Sequence, residues 1–130
     1  MLKINNKEYK VLSSEIKYVN ATYNDLKGYS ILVNIDIEYN TKKGYVSFYV
    51  DFFDNNLMQN MEGKVYKEIA TDLYAKINLI EIFDGNEFFD FIESVVILKF
   101  GKIVGNTIEM EFNFDDKLIN LGYKGILDIK

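Results

Sequence analysis

A chain of 130 residues with 48% hydrophobic content and a formal charge of -5 is long enough to bury a core of its own, and it reads as one domain spanning residues 1–130. It has no His, Cys, Pro or Trp and, along its whole length, no Arg, which excludes His-based triads, thiol chemistry and guanidinium recognition of phosphate. The charge lies in one half: residues 1–65 carry eight acids and eight Lys, and residues 66–130 carry twelve acids and seven Lys.

With no basic stripe, phosphate neutralisation has no apparatus, and no nucleic-acid partner is expected. The residues that stand in for the missing ones, Ile, Asn, Lys, Tyr and Phe, use AT-rich codons. This composition suits a low-GC bacterium and accounts for the missing Arg and Pro. The start, from Met1 to Lys7, has no apolar stretch of signal-peptide length, and the longest aliphatic run is Val95 to Leu98. That run is far below the ~20 residues of a membrane span, so the expectation is a soluble, cytoplasmic protein with no membrane partner. The absence of Cys fits a reducing compartment.

In chain order, short strands are expected at Leu2 to Ile4 and Glu8 to Leu12, joined across Asn5-Asn6, and at Ile16 to Ala21. From Tyr29 to Tyr39 the residues Ile31, Val33, Ile35 and Ile37 alternate with Leu32, Asn34, Asp36 and Glu38, the period of two of a half-buried strand. Tyr45 to Phe53 repeats the pattern with Val46, Phe48, Val50 and Phe52, and Asn40 to Gly44 reads as the hairpin loop between the two. Between Lys64 and Ile77 the period changes. Val65, Tyr66, Ile69, Ala70, Leu73, Tyr74 and Ile77 fall on one face of a helix, opposite Lys67, Glu68, Thr71, Asp72 and Lys76. A strand follows at Ile77 to Phe83, then a shorter helix at Glu87 to Glu93 capped by Asn86. Its phenylalanines are too many for one narrow stripe. Ser94 to Ile103 and Thr107 to Phe114 form a second hairpin across Gly105-Asn106, and Tyr123 to Ile129 is the last strand. The expected class is mainly β or α+β: antiparallel hairpins forming a curled sheet, barrel or small sandwich of about 7–8 strands, with one amphipathic helix at about 64–77.

Catalytic constellations are scarce. No Ser stands in a Gly-flanked or Ser-x-x-Lys setting, and no glycine pattern cradles a phosphate. The acid pairs Asp36 with Glu38, Glu109 with Glu111, and Asp115 with Asp116 read as solvent faces and a turn start rather than as a glycosidase dyad. Asp84-Gly85-Asn86-Glu87 lacks the residue order of a calcium loop and reads as a turn. The chain is expected to be no enzyme and to use no cofactor and no metal.

One segment invites a functional reading. Acids recur every third residue at Glu81, Asp84, Glu87, Asp90 and Glu93, with Phe83, Phe88, Phe89 and Phe91 between them and no Lys. Acids around aromatic anchors would steer a basic partner and then hold it. The competing reading makes the phenylalanines core and the acids merely wet. The partner-binding candidates are Glu81, Asp84, Glu87, Phe88, Phe89, Asp90, Phe91 and Glu93. They suggest a non-catalytic interaction protein that masks a basic protein partner, of the immunity or antitoxin type by analogy of size and charge alone. The alternatives are a barrel or sandwich that binds a small molecule or carbohydrate on Phe and Tyr residues such as Tyr45, Tyr49 and Tyr123, or a structural subunit of a phage-like assembly.

Overall fold

The computed structural model describes residues 1–23, 26–52, 62–66, 75–91, 95–115 and 119–130. These form ten strands: β1 Leu2–Ile4, β2 Lys7–Tyr23, β3 Leu26–Tyr39, β4 Lys42–Phe52, β5 Val65–Tyr66, β6 Ala75–Phe83, β7 Phe88–Phe91, β8 Val95–Val104, β9 Thr107–Asp115 and β10 Asn120–Ile129. They make one sheet in the order β5-β8-β9-β10-β1-β2-β3-β4-β6-β7. Every pairing but one is antiparallel, and β1–β10, β4–β6 and β5–β8 join strands that are not consecutive. The exception is beside the short β1, where β10 also pairs with β2 in parallel at Asp128 and Ile129. Among the described residues no segment is helical, and none forms a helix long and apolar enough to cross a membrane.

The sheet is curled into an open half-barrel, and its aromatic side chains show why. The Phe48 ring on β4 lies 5.0 Å from Phe112 and 5.1 Å from Phe114 on β9, edge to face in both cases. Four strands separate β9 from β4 in the sheet order, so only strong coiling brings the two faces together. Phe52 reaches Tyr66 and Phe100 in the same way, at 5.9 and 6.4 Å. The concave face is the core. It takes Ile31, Val33, Ile35 and Ile37 from β3, Val46, Phe48, Val50 and Phe52 from β4, and Ile108, Met110, Phe112 and Phe114 from β9, all essentially inaccessible to water. Each such side chain contributes about 1.5–3 kcal/mol relative to an exposed one.

The turns follow from residue type. Asn5-Asn6 and Asn40-Thr41 are two-residue turns with φ of 49° and 68°, and of 48° and 68°, the left-handed pair of a type I′ hairpin that Asn tolerates well. The β3–β4 connection is thus shorter than the expected Asn40–Gly44 loop, because Tyr39 pairs with Lys42 and the strand resumes at once. The expected strands at Glu8 to Leu12 and Ile16 to Ala21 are one 17-residue strand. A bulge between Val11 and Ser13 leaves Leu12 without a ladder partner. Before it the odd positions Tyr9 and Val11 face the core; after it the even position Ile16 does. The phase change breaks the alternation without ending the strand.

The helix expected at 64–77 is contradicted at both ends. Val65 and Tyr66 pair with Lys99 and Leu98 as β5, and Ala75 to Ile77 already belong to β6; residues 67–74 lie outside the described residues. Tyr66 is buried against Phe52 and Phe100, a packing gain that outweighs a local helical period. The shorter helix at Glu87 to Glu93 is also corrected. Phe88 to Phe91 form β7, antiparallel to β6, and residues 92–94 lie outside the described residues. With these additional strands the count among the described residues is ten rather than seven or eight.

Candidate functional site

The β6–β7 hairpin is built around one carboxylate. Asp84 Oδ1 accepts hydrogen bonds from the backbone N–H of Asn86 at 2.7 Å and of Glu87 at 2.8 Å, and the Asp84 N–H donates to the Glu87 carbonyl at 3.2 Å. A short acidic side chain closing its own turn is what favours Asp at this position. Gly85 turns the chain with φ of 101°. The loop is tied to the start of β4, where Lys42 Nζ donates to Asn86 Oδ1 at 2.7 Å. It is also pressed closely against that strand, since a Cβ on Gly44 would stand 2.0 Å from the Phe83 carbonyl oxygen.

Register turns this docking into a surface. Asp36, Tyr45, Phe83 and Phe88 occupy one row across β3, β4, β6 and β7, and Asn34, Ser47, Glu81 and Asp90 occupy the next. In the first row the Phe83 and Phe88 rings stack at 4.4 Å, with Tyr45 at 6.0 Å from one and 6.3 Å from the other. Phe88 is 65% exposed, an uncommon position for a large aromatic ring. Asp36 accepts a hydrogen bond from Ser13 at 2.8 Å, and Ser47 donates to Asn34 at 2.8 Å. Glu81 and Glu87 are exposed at the border of the aromatic row. Among the residues whose side chains are described, the one ion pair joins Lys17 to Glu15, and the nearby Lys42 ammonium is bonded to Asn86.

Of the residues singled out from sequence, Glu81, Asp84, Glu87 and Phe88 come together at this hairpin. Asp84 serves its turn rather than a free rim. Phe89 goes to the opposite face and packs on the core. Asp90 and Phe91 are placed by backbone register alone, opposite Glu81 and Ile80, and Glu93 lies outside the described residues. Two residues of the patch were not among these partner-binding candidates: Phe83, named only as part of the segment, and Tyr45, named only for ligand stacking. The signal was present: both stand at the outward phase of strands whose alternate residues Val46, Phe48 and Ile82 are buried.

Two tyrosines inside the fold give a pH dependence. Burial pushes the Tyr9 phenol above its ordinary value of 10.0, and the Asp84 carboxylate and Tyr39 add to the effect. Burial likewise raises Tyr123, partly opposed by a hydrogen bond with Ser14. A raised phenol pKa means the fold favours the neutral form. The stabilisation is complete below pH 10 and is lost as pH climbs through the folded values. The thermal midpoint should therefore hold near pH ~8 and fall by pH ~11, and Tyr123→Phe should flatten that fall. An unchanged slope in the variant would rule Tyr123 out as its source.

Comparison with known proteins finds no matching family model, no matching curated protein and no matching solved structure. Among the described residues no group of three or more acids could hold a metal ion.

Proposed function

We propose that the chain is a non-catalytic interaction domain that masks a basic protein partner, in the manner of an immunity or antitoxin protein. The observation that carries this reading is the Tyr45, Phe83 and Phe88 patch, exposed at Phe88 and bordered by Glu81 and Glu87. Stacked aromatic rings supply binding energy when a partner covers them, and exposed acids beside them raise the encounter rate with a cationic surface. The alternative of a ligand-binding barrel draws less support. Phe48, Phe52, Phe112 and Phe114 fill the concave face, and a depression of about 440 Å³ on β8 to β10 is lined by the charged Lys99, Glu109, Glu111 and Lys124 as well as by Phe100 and Met110, with no Tyr.

The test is a titration against the product of the adjacent gene, which this reading expects to be basic. Affinity should fall at least about tenfold between low and physiological salt. The double reversal Glu81→Lys with Glu87→Lys should slow association about tenfold while moving stability by less than about 1 kcal/mol. Asp84 is left intact because its carboxylate holds the turn. An adjacent gene whose product has no basic surface, or a complex indifferent to salt and to both reversals, would overturn the reading.

A further inference from the structure

We infer that the outer edge of β7 is a strand-addition site, at which an extended basic segment of the partner pairs with the backbone of Phe88 and Asp90. The inference rests on the interaction reading above and specifies its mode.

The hydrogen-bond alternation sets which groups face outward. Asp84 N–H bonds the Glu87 carbonyl, so the Asp84/Glu87 pair is a hydrogen-bonded one. Two residues further along each strand, the Ile82/Phe89 and Ile80/Phe91 pairs repeat it. The intervening Phe83/Phe88 and Glu81/Asp90 pairs are non-hydrogen-bonded, the class in which opposed residues approach most closely. The 4.4 Å stacking of Phe83 on Phe88 agrees. The N–H and C=O groups of Phe88 and Asp90 therefore point away from β6. β7 ends the sheet, and among the described residues no strand pairs with its other side.

Two features make this edge selective for a cationic strand. The Glu81/Asp90 pair sets two acids at directly opposite register positions, a row that suits a cationic neighbour and disfavours an acidic one. A second copy of this chain would bring more acids to that row, so self-pairing is disfavoured. A partner strand that continues both rows would place an aromatic or apolar residue beside Phe88 and a Lys or Arg two residues away beside Asp90, all on one face of the pleat.

The probe is the peptide acetyl-Thr-Lys-Thr-Phe-Thr-Lys-Thr-amide, which offers that pattern in either strand direction. It is titrated into the intact protein with amide hydrogen exchange and backbone shifts as readouts. The expected result is slowed exchange at the Phe88 and Asp90 amides, with little change at Phe89 and Phe91, whose amides already bond β6. A Glu-for-Lys peptide should bind at least tenfold more weakly, as should a peptide N-methylated at alternate residues. Asp90→Pro removes an amide that β6 does not use and should abolish peptide binding, while Asp90→Asn should weaken it severalfold. If the N-methylated peptide binds as well as its parent, or Asp90→Pro behaves like Asp90→Asn, the edge mode is overturned and a side-chain contact with the face replaces it. If the Lys and Glu peptides bind alike, the basic-partner reading fails as well, and absence of binding at millimolar peptide overturns the edge site.

Discussion

Gly44→Ala should release the β6–β7 hairpin from the sheet. A Cβ at this position would lie 2.0 Å from the Phe83 carbonyl oxygen, 3.0 Å from its carbon and 3.1 Å from the Asp84 carbonyl carbon. All three are backbone atoms, so no rotamer change relieves the overlap and the hairpin must move away from β4. The expected cost is about 3 kcal/mol, the upper end for overpacking. Amide exchange should localise it, with protection lost over 75–91 and retained over β8 to β10. Gly63→Ala is the matched control. Its added Cβ meets nothing within 4 Å, and only the positive φ of 76° is strained, at about 1 kcal/mol. Binding of a basic partner should fall with Gly44→Ala and survive Gly63→Ala. Equal exchange in the two variants would mean that the close approach at Gly44 is not what seats the hairpin.

That a surface turns on one glycine explains why it was only half legible in the sequence. The Tyr29–Tyr39 and Tyr45–Phe53 alternation found β3 and β4, and Ser94–Ile103 with Thr107–Phe114 found β8 and β9, because a half-buried strand writes its period into its own residues. The acidic, aromatic segment was legible as composition. Its form was not. Three phenylalanines at 88, 89 and 91 overfill a helical stripe, but a hairpin sends Phe88 outward and Phe89 to the core, with the Asp84 turn fixing the register. Lys64 to Ile77 shows the opposite failure, a helical spacing whose ends are strands because Tyr66 gains more from Phe52 and Phe100 than from a helix. Tyr45 could be recognised as part of the patch only after β6 was known to lie beside β4.

Phe48→Ala should be the most damaging single truncation, and it tests the curl of the sheet directly. Phe48 is 0% exposed and meets Phe112 and Phe114 edge to face across the concave side. Removing a buried ring costs about 3–5 kcal/mol in lost transfer energy and in the cavity left behind. That is a large part of the roughly 5–15 kcal/mol that holds a domain together. The cavity cannot close easily, because Phe112 is itself held by stacking on Phe114 at 4.9 Å and on Tyr123 at 5.0 Å. A double-mutant cycle with Phe112→Ala should give a coupling of about 0.5–1.5 kcal/mol, the value of an aromatic pair beyond its area. The two residues lie on strands that a flat sheet would keep four strands apart, so additive losses would mean that β4 and β9 do not face each other. The same curvature turns the outward row of Tyr45, Phe83 and Phe88 onto the convex side. Loss of Phe48 should therefore weaken partner binding through unfolding alone, leaving the affinity of the folded fraction unchanged.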